Sequence, residues 1–372
     1  MKSGFFLRAV RNGLFAFCLA GAVVPPHAQA EQQDRLVIFD DDGFALAQWM
    51  VLKAPHVKVL GFATVSGDFW QKEATAYALR GVEIANRPDV PVLAGATYPL
   101  LNTEKRTERW ESLYGKLVWK GAWMKRWVEK TNQPLPPYHA ANSVPDLPWG
   151  NPKTKAAPET AVSFMLRMVH QYPGQVSIIE CGPMTNLALA QKLDPEFASL
   201  AKELVYMGGS LNPQQKLNTP AAAQFAREFG NSPRREFNIR FDPEAASIVM
   251  HAPWKKIVMV PADPSTETEM SEAFVKDITQ SDTPVARIMR KSANNFPLWD
   301  EIAAAVWLDP SLIRTSTDVY VDVNTAFDAQ YGDILSWSEG YQPRLDEQKE
   351  HVVLRVDVPR MKALIKDLIA RP

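Results

Sequence analysis

The chain contains an apolar run that ends in three consecutive acids, Leu36-Val37-Ile38-Phe39-Asp40-Asp41-Asp42-Gly43. Four apolar residues in a row predict a buried β-strand, and the acids mark the point where that strand ends. In an open α/β sheet, ligands bind in the crevice beyond the carboxyl ends of the strands. Adjacent carboxylates repel one another unless a cation, a shared proton or solvent relieves them, and hard cations such as Ca²⁺ or Mg²⁺ prefer oxygen ligands. The stretch therefore indicates a metal-assisted hydrolase site, with a solvated turn as the alternative.

The first thirty residues have the pattern of a signal peptide. A basic start is followed by the apolar run Leu14–Val24, which is too short to span a bilayer stably, and by the small-x-small site Ala28-Gln29-Ala30. We therefore predict a signal peptide over residues 1–30, cleavage after Ala30, and an exported, periplasmic protein whose mature domain covers residues 31–372.

Charge and cysteine content exclude several classes of protein. The net charge is −1, and cleavage would bring it to −4, because the leader holds three basic residues and no acids. This balance does not fit binding to nucleic acid or to an anionic membrane, and no later segment has the length and apolarity of a membrane span. Cys181 would be the only cysteine left, so no internal disulfide is expected. One domain is the simplest interpretation, although the length also permits two.

Short apolar runs alternate with helical patterns along the mature chain. The predicted strands are Leu36–Asp40, Val57–Thr64, Val90–Ala94, Val176–Glu180, Leu204–Met207, Ile257–Val260 and Val319–Val323. The predicted helices are Gln71–Asn86, Glu159–Gln171, Met184–Gln191 and Asp242–Met250. Such alternation predicts an α/β fold with a mostly parallel central sheet flanked by helices.

Two regions interrupt this rhythm, Leu100–Gly150 and Asn212–Pro233. Long irregular insertions in a compact domain are often lids or binding loops, and an ordinary surface excursion is the alternative. Several aromatic residues in or near the first region could stack on a ligand or simply pack, namely Tyr98, Trp110, Trp119, Trp123 and Trp127.

Further polar clusters lie where the predicted strands end or helices begin. They are Asp68 after Ser66-Gly67, Cys181-Gly182-Pro183-Met184-Thr185-Asn186, Met207-Gly208-Gly209-Ser210, Glu236-Phe237-Asn238 and Trp299-Asp300. Each cluster alone could be only a turn, a helix cap or a solvated loop. Together, however, they form a pattern of order and spacing along the chain.

The order and spacing of these clusters resemble the inosine–uridine-preferring nucleoside hydrolase family, from about Arg35 to Pro310. The segments that carry the resemblance are Val59-Leu60-Gly61, Gly182-Pro183-Met184-Thr185-Asn186-Leu187-Ala188, Met207-Gly208-Gly209, Glu236-Phe237-Asn238-Ile239, Asp242-Pro243-Glu244-Ala245-Ala246, Trp299-Asp300 and Asp309-Pro310. The resemblance implies a single α/β domain, hydrolysis of ribonucleosides to free base and ribose, a bound Ca²⁺, a small-molecule nucleoside as partner, and a homo-oligomer. Such an activity would serve nucleoside salvage.

The resemblance also implies roles for particular residues. Asp42 matches a metal ligand that is also the catalytic base, and Cys181 matches a ligand through its main-chain carbonyl. Asp40 and Asp300 match further metal ligands. The substrate-binding positions are Glu236 and Asn238, which match ribose ligands, together with Asp68 and Trp299. This set is chemically coherent, because Ca²⁺ takes six to eight oxygens and a ribose diol can supply two of them.

Three departures from the family pattern stand out. Gly43-Phe44-Ala45-Leu46 replaces a Gly and an Asp-Asp pair whose second member is a metal ligand, so that Asp41 becomes a candidate substitute. Trp299 replaces a His that helps the base to leave, and Asp68 replaces an Asn. Loss of a carboxylate predicts weaker Ca²⁺ binding, since affinity follows ligand charge.

Two other functions fit parts of the sequence. Asp40-Asp41-Asp42-Gly43 also matches the signature of haloacid-dehalogenase-like phosphatases, with Asp40 as nucleophile, Asp42 as acid/base and Mg²⁺ as cofactor. However, Phe44 replaces the usual Thr or Val, and later Lys and Asp-Asp elements are missing. The third candidate is a non-catalytic, exported protein that binds a nucleoside or sugar on the hydrolase fold.

Overall fold

The computed structural model describes residues 34–292 and 295–372. The predicted signal peptide, residues 1–30, and the cleavage site after Ala30 lie outside the described residues. The strands are β1 (Arg35–Asp41), β2 (Val57–Thr64), β3 (Val92–Ala94), β4 (Val176–Glu180), β5 (Glu203–Met207), β6 (Ile257–Val260), β7 (Ile313–Val323), β8 (Ile334–Trp337) and β9 (Lys349–Val356).

These strands form one sheet in the order β3-β2-β1-β4-β5-β6-β9-β7-β8. The pairs from β3 to β9 are all parallel, while β7 runs antiparallel to β9 and to β8. The predicted α/β fold with a mostly parallel sheet is therefore confirmed. Pro91 precedes β3 directly, and this short strand lies at the edge of the sheet, where a residue without an N–H is tolerated.

Helices cover both faces of the sheet. They are α1 (Leu46–Lys53), α2 (Gln71–Ile84), α3 (Glu104–Tyr114), α4 (Ala161–Gln171), α5 (Thr185–Leu193), α6 (Phe197–Leu200), α7 (Pro220–Asn231), α8 (Phe237–Phe241), α9 (Pro243–Met250), α10 (Ala262–Ser265), α11 (Glu272–Ile278), α12 (Pro284–Met289), α13 (Asp300–Leu308) and α14 (Val358–Ala370). Short 3₁₀ turns lie at Gly121–Trp123 and Pro310–Leu312. Among the residues that the structure describes, none of these helices could cross a membrane.

The core consists of two apolar layers, one on each face of the sheet. Val37 and Phe39 of β1 point into the layer formed with α1, α13 and α14, whereas Ile38 points into the layer formed with α4, α5 and α9. All three side chains are fully buried, and each contributes about 1.5–3 kcal/mol of transfer free energy. The continuous apolar run of β1 is thus explained by burial on both faces.

The two regions predicted to be irregular each contain a helix, so that part of the prediction is wrong. Within Leu100–Gly150, α3 begins after the N-cap Thr103, and within Asn212–Pro233, α7 begins after the N-cap Thr219. α3 is rich in charged residues and buries only Thr107, Trp110 and Glu111. Such a narrow buried face leaves little apolar periodicity in the sequence.

Candidate active site

Asp40, the first acid after the apolar run, is fully buried beneath the site. Asn186 Nδ2 of α5 donates to its two carboxylate oxygens at 2.9 and 3.0 Å. Burial raises the pKa of Asp40 to about 7, although the bond from Asn186 opposes this shift. Asn186 Oδ1 also accepts from the main-chain N–H of Ala96 at 2.8 Å, so this one amide joins β1 to the segment after β3. Asp40 is therefore oriented towards Asn186 rather than into the cavity.

Asp41, the second acid, is held from the opposite side. Gln48 Nε2 of α1 donates to its Oδ2, and the main-chain N–H of Gly43 donates to Oδ1 at 3.2 Å. Burial, followed by the negative charges of Asp300 and Asp42, raises the pKa of Asp41 well above its ordinary range. Asp41 thus lies within electrostatic reach of both acids, as its candidate role in place of the missing Asp pair requires.

Asp42 is the member of the acid run that lines the cavity. Its Oδ2 accepts from the main-chain N–H of Asp68 at 2.6 Å. Burial and the neighbouring charge of Asp68 raise the pKa of Asp42 well above its ordinary range. Gly67 passes so close that an added Cβ would overlap the Asp42 carboxylate. The loop after β2 therefore fixes the orientation of Asp42.

Asp300 and Cys181 line the same cavity as Asp42. Asp300 begins α13, and burial with the charges of Glu301 and Asp42 raises its pKa well above the ordinary range. Burial likewise raises the pKa of the Cys181 thiol, which argues against a reactive thiolate. The Cys181 carbonyl already accepts from Asn238 Nδ2 at 3.1 Å and keeps a second lone pair.

The carboxylates of Asp42 and Asp300 and the carbonyl of Cys181 are the kind of ligand that a hard cation prefers, because all of them offer oxygen. The charges of Asp300 and Asp42 raise the pKa of Asp41, and the charge of Asp42 raises the pKa of Asp300, a repulsion that a divalent cation would relieve. In the described ranges, however, no three His, Cys, Asp or Glu side chains are arranged as a ready metal site. Asn186 and Gln48 hold the carboxylates of Asp40 and Asp41 away from the cavity. This explains why no such group of three side chains is found among the described residues.

Glu236 and Asn238 form the adjoining side of the floor. Glu236 caps α8, accepts from the main-chain N–H groups of Asn238 and Gly209 at 2.9 Å each, and has a pKa raised by burial to about 7. Asn238 Nδ2 donates to the carbonyls of Cys181 and Met207, both at 3.1 Å. The two side chains are rigidly placed, and both line the cavity.

The walls of the cavity are aromatic. The cavity has a volume of about 350 Å³, within the range of small-molecule sites. Its aromatic lining consists of Phe69, Trp119, Trp127, Phe225, Phe229, Phe237, Phe296 and Trp299. Trp119 and Trp127 lie with ring centroids 5.4 Å apart, and Trp299 lies 5.6 Å from Phe225 and nearly parallel to Phe296. The ring contacts of the walls join the first insertion, α7 and the loop before α13, and Phe69 and Phe237 complete the aromatic lining.

Asp68 connects the floor to the walls. Its Oδ1 accepts from the indole N–H of Trp119 at 2.5 Å, and burial raises its pKa to about 6. All the predicted site residues except Asp40 line the cavity, including Asp68 and Trp299. Their predicted chemical roles stay predictions.

The aromatic residues near the first insertion divide into two groups. Trp119 and Trp127 line the cavity, whereas Trp123 stacks on Phe241 at 4.2 Å, Trp110 is buried near Tyr331, and Tyr98 is 64% exposed. Sequence reasoning did not foresee the partners Gln48, Asn186 and Phe225. Of these three residues, only Asn186 was marked in the sequence, because it belongs to the Gly182–Asn186 segment that carries the family resemblance.

Comparison with known proteins decides the family. The sequence profile described as inosine-uridine preferring nucleoside hydrolase matches residues 37–363. The chain belongs to this family. It is accordingly an N-glycosidase of the nucleoside hydrolase type, and the phosphatase alternative is wrong. In agreement, the Asp40 that would be the phosphatase nucleophile is fully buried against Asn186.

Individual relatives are distant but cover most of the chain. An uncharacterized protein of Schizosaccharomyces pombe is 28% identical, covering 86% of this chain and 79% of its own. A probable uridine nucleosidase 1 of rice, Oryza sativa, is also 28% identical, covering 91% and 98%. A solved plant nucleoside hydrolase has 22% identity and a TM-score of 0.65, covering 91% of this chain and 99% of its own, and supports the fold.

Proposed function

We propose that this protein hydrolyses ribonucleosides to ribose and free base, with Asp42 as the group that activates water. The observation that carries the proposal is the position of Asp42. It lines the cavity with Asp300, Glu236 and Asn238, whereas Asp40 and Asp41 are turned away from the cavity. A carboxylate beside the sugar-binding floor is suited to take a proton from an attacking water.

The proposed cofactor is Ca²⁺, held by the carboxylates of Asp42 and Asp300 and the carbonyl of Cys181. When bound, the ion would supply positive charge that acidifies a water and orients the ribose hydroxyls. Asp41 would add negative charge close to these ligands, in place of the missing Asp pair. Asp40 would act by holding the end of β1 through Asn186.

The protein's own groups would divide the remaining work. Asp42, oriented by the Asp68 N–H, takes the proton of the water, and the sugar develops oxocarbenium character as the glycosidic bond breaks. Glu236 has carboxylate lone pairs to spare for ribose hydroxyls, and it is held by main-chain donors that prevent it from moving. The aromatic walls would hold the base.

The test is ribose release from a panel of purine and pyrimidine nucleosides by the purified protein. Uridine and inosine belong in the panel, because a rice relative is named a probable uridine nucleosidase and a Leishmania major relative an inosine-uridine preferring nucleoside hydrolase. We expect release that falls on chelation and is lost in Asp42→Asn. Tight nucleoside binding without any release, at saturating Ca²⁺, would favour the non-catalytic binding protein.

Two further expectations from the sequence are also proposed. The protein is exported to a periplasm, with its signal peptide removed after Ala30, and it forms a homo-oligomer. An intact mass that begins at Glu31 in the periplasmic fraction would support export, and a cytoplasmic, unprocessed chain would contradict it. Light scattering of the processed protein measures the oligomeric mass.

A further inference from the structure

We propose that Glu228 recognises the base of the nucleoside, by accepting a hydrogen bond from an N–H group of the base ring. This recognition rests on the proposed hydrolase function and adds to it a residue that the function did not use. Glu228 lies in the second irregular region of the sequence, outside the segments that carry the family resemblance, and it lines the cavity from α7.

Glu228 is the polar member of an aromatic wall. Phe225, Glu228 and Phe229 are three and four residues apart on α7, so they share one face of this helix, and all three line the cavity. The ring of Phe225 lies 5.6 Å from that of Trp299 and 6.4 Å from that of Trp119. A base held between these rings would therefore lie beside the Glu228 carboxylate.

The Glu228 carboxylate has one oxygen fixed and the other without a hydrogen-bond partner. Its Oε2 accepts from the main-chain N–H of Val118 at 3.1 Å, which orients the group. Its Oε1 is buried and accepts no hydrogen bond from the described residues. Arg235 Nη1 lies 3.9 Å away, beyond hydrogen-bond distance. A buried acceptor without a partner is unfavourable, and an N–H donated by a ligand would recover that free energy.

Two guanidinium groups lie near this acceptor. Arg235 is held by Asp333 at 3.1 Å, Arg240 donates to the carbonyl of Trp119 at 3.2 Å, and both arginines line the cavity. Burial lowers the pKa of Arg240, and the negative charge of Glu228 opposes this shift. A guanidinium has five N–H groups, so donors remain after these bonds. An acceptor beside donors matches a ring N–H beside a carbonyl group.

The pyrimidine bases differ at the ring atom that such an arrangement would contact. Uracil carries a hydrogen on N3, between two carbonyl groups, whereas N3 of cytosine carries a lone pair instead. A carboxylate oxygen attracts the N–H and repels the lone pair. A methyl group on N3 of uridine removes the donor without changing the ribose.

The test exchanges the acceptor for a donor. In Glu228→Gln the amide oxygen can still accept from Val118, and the amide N–H₂ then replaces the free oxygen. Values of kcat/KM are measured for uridine, 3-methyluridine and cytidine. We expect wild type to favour uridine at least about tenfold over the other two. In Glu228→Gln the ratio of uridine to cytidine should fall at least about tenfold, and an unchanged ratio would overturn the recognition by Glu228.

Glu347→Gln is the matched control. Glu347 is also buried and also accepts main-chain N–H bonds, from Arg344 and Leu345 at 2.6 Å each, but it does not line the cavity. This variant should keep the wild-type ratio of uridine to cytidine. An equal fall in Glu347→Gln and Glu228→Gln would show that loss of a buried carboxylate, rather than contact with the base, changes the ratio.

Binding separates this recognition from the function on which it rests. Calorimetry of the Asp42→Asn protein, in excess Ca²⁺, measures affinity without turnover. We expect uridine to bind at least about tenfold more tightly than 3-methyluridine, and Glu228→Gln in the same background to remove most of this difference. Equal affinities would overturn the recognition even if wild type releases ribose. The expected difference in affinity, without ribose release from any nucleoside by wild type, would overturn the hydrolase function alone.

Discussion

The floor and the walls of the cavity are built in different ways. The floor consists of side chains at the carboxyl ends of parallel strands, such as Asp42 after β1 and Cys181 after β4, and each is held by main-chain or amide partners. The walls come from the first insertion, from α7 and from the loop before α13, and they meet mainly through aromatic contacts. The difference suggests that the floor performs the chemistry, whereas the walls select the base.

The largest expected effect is at the floor. Asp42→Asn keeps the shape of the side chain and its acceptor oxygen for the Asp68 N–H, but it removes the group that takes the proton. We expect kcat to fall by about 10³-fold, the usual contribution of a general base. Steady-state ribose release measures the loss, and an unchanged far-ultraviolet spectrum controls for folding. Activity within about tenfold of wild type would remove Asp42 from the mechanism.

The second prediction concerns the orientation of Asp42. In Gly67→Ala the new Cβ would overlap the Asp42 carboxylate and force it to shift. We expect kcat/KM to fall by about 10- to 100-fold, since small displacements of a catalytic group are costly. Gly230→Ala in α7 is the control, because a Cβ there meets nothing within 4 Å. That variant should retain activity and gain about 0.5–1 kcal/mol of stability. Equal activity of the two variants would show that the Gly67 loop does not position Asp42.

A wall residue should behave differently. Trp299 lies 6.1 Å from Phe296 with nearly parallel planes and 5.6 Å from Phe225. Trp299→Leu removes aromatic contact with the base while leaving Asp42 in place. We expect KM to rise by about three- to tenfold with kcat changed less, in line with the free energy of an aromatic pair. A fall in kcat as large as that of Asp42→Asn would mean that the wall takes part in the chemistry.

Part of this architecture could be predicted from the sequence. β1 is apolar on both faces and ends in acids, so its burial and the site at its end follow from local pattern. β9 could not be found in this way, because it inserts between β6 and β7, and its pairing depends on residues far along the chain. Within the described sheet, β8 is the edge strand next to β7, and its partly exposed residues leave little apolar signal.

Within the site, too, features set by the local sequence could be predicted, whereas contacts between distant segments could not. The polar clusters at strand ends were recognisable because the sheet topology brings such ends together. The turn of Asp41 towards Gln48, and the bond between Trp119 and Asp68, depend on contacts between separate segments. No local sequence pattern distinguishes Trp119, which lines the cavity, from Trp123, which packs on Phe241.

The smallest expected effect on activity comes from a buried carboxyl group outside the cavity. Glu350 of β9 accepts from the Tyr206 hydroxyl at 2.6 Å, and burial raises its pKa to about 8. The folded protein then holds a proton that the unfolded chain loses near the ordinary pKa of Glu. The free energy of unfolding contributed by this group therefore falls as pH rises from about 4.5 to 8.

Glu350→Gln should abolish this contribution, because an amide stays neutral and can still accept from Tyr206. We expect the free energy of unfolding to increase by about 1–3 kcal/mol at pH 8 and to change little at pH 4.5. Urea unfolding at the two pH values measures this free energy. Glu339→Gln, at an exposed position paired with Lys349, is the control and should keep the wild-type pH dependence. A gain that is equal at both pH values would contradict the raised pKa. Ribose release should be unchanged in both variants, because neither residue lines the cavity. A buried carboxyl group in the sheet would then affect stability without affecting activity.

The most direct test of the division between floor and walls is the ratio of kcat/KM for uridine to that for inosine. It should be measured in wild type, in Glu236→Gln at the floor and in Trp299→Leu at the wall. Both nucleosides carry the same ribose, so we expect Glu236→Gln to lower both values about equally and to leave the ratio unchanged. Trp299→Leu should change the ratio. A ratio that shifts in Glu236→Gln but not in Trp299→Leu would contradict the account.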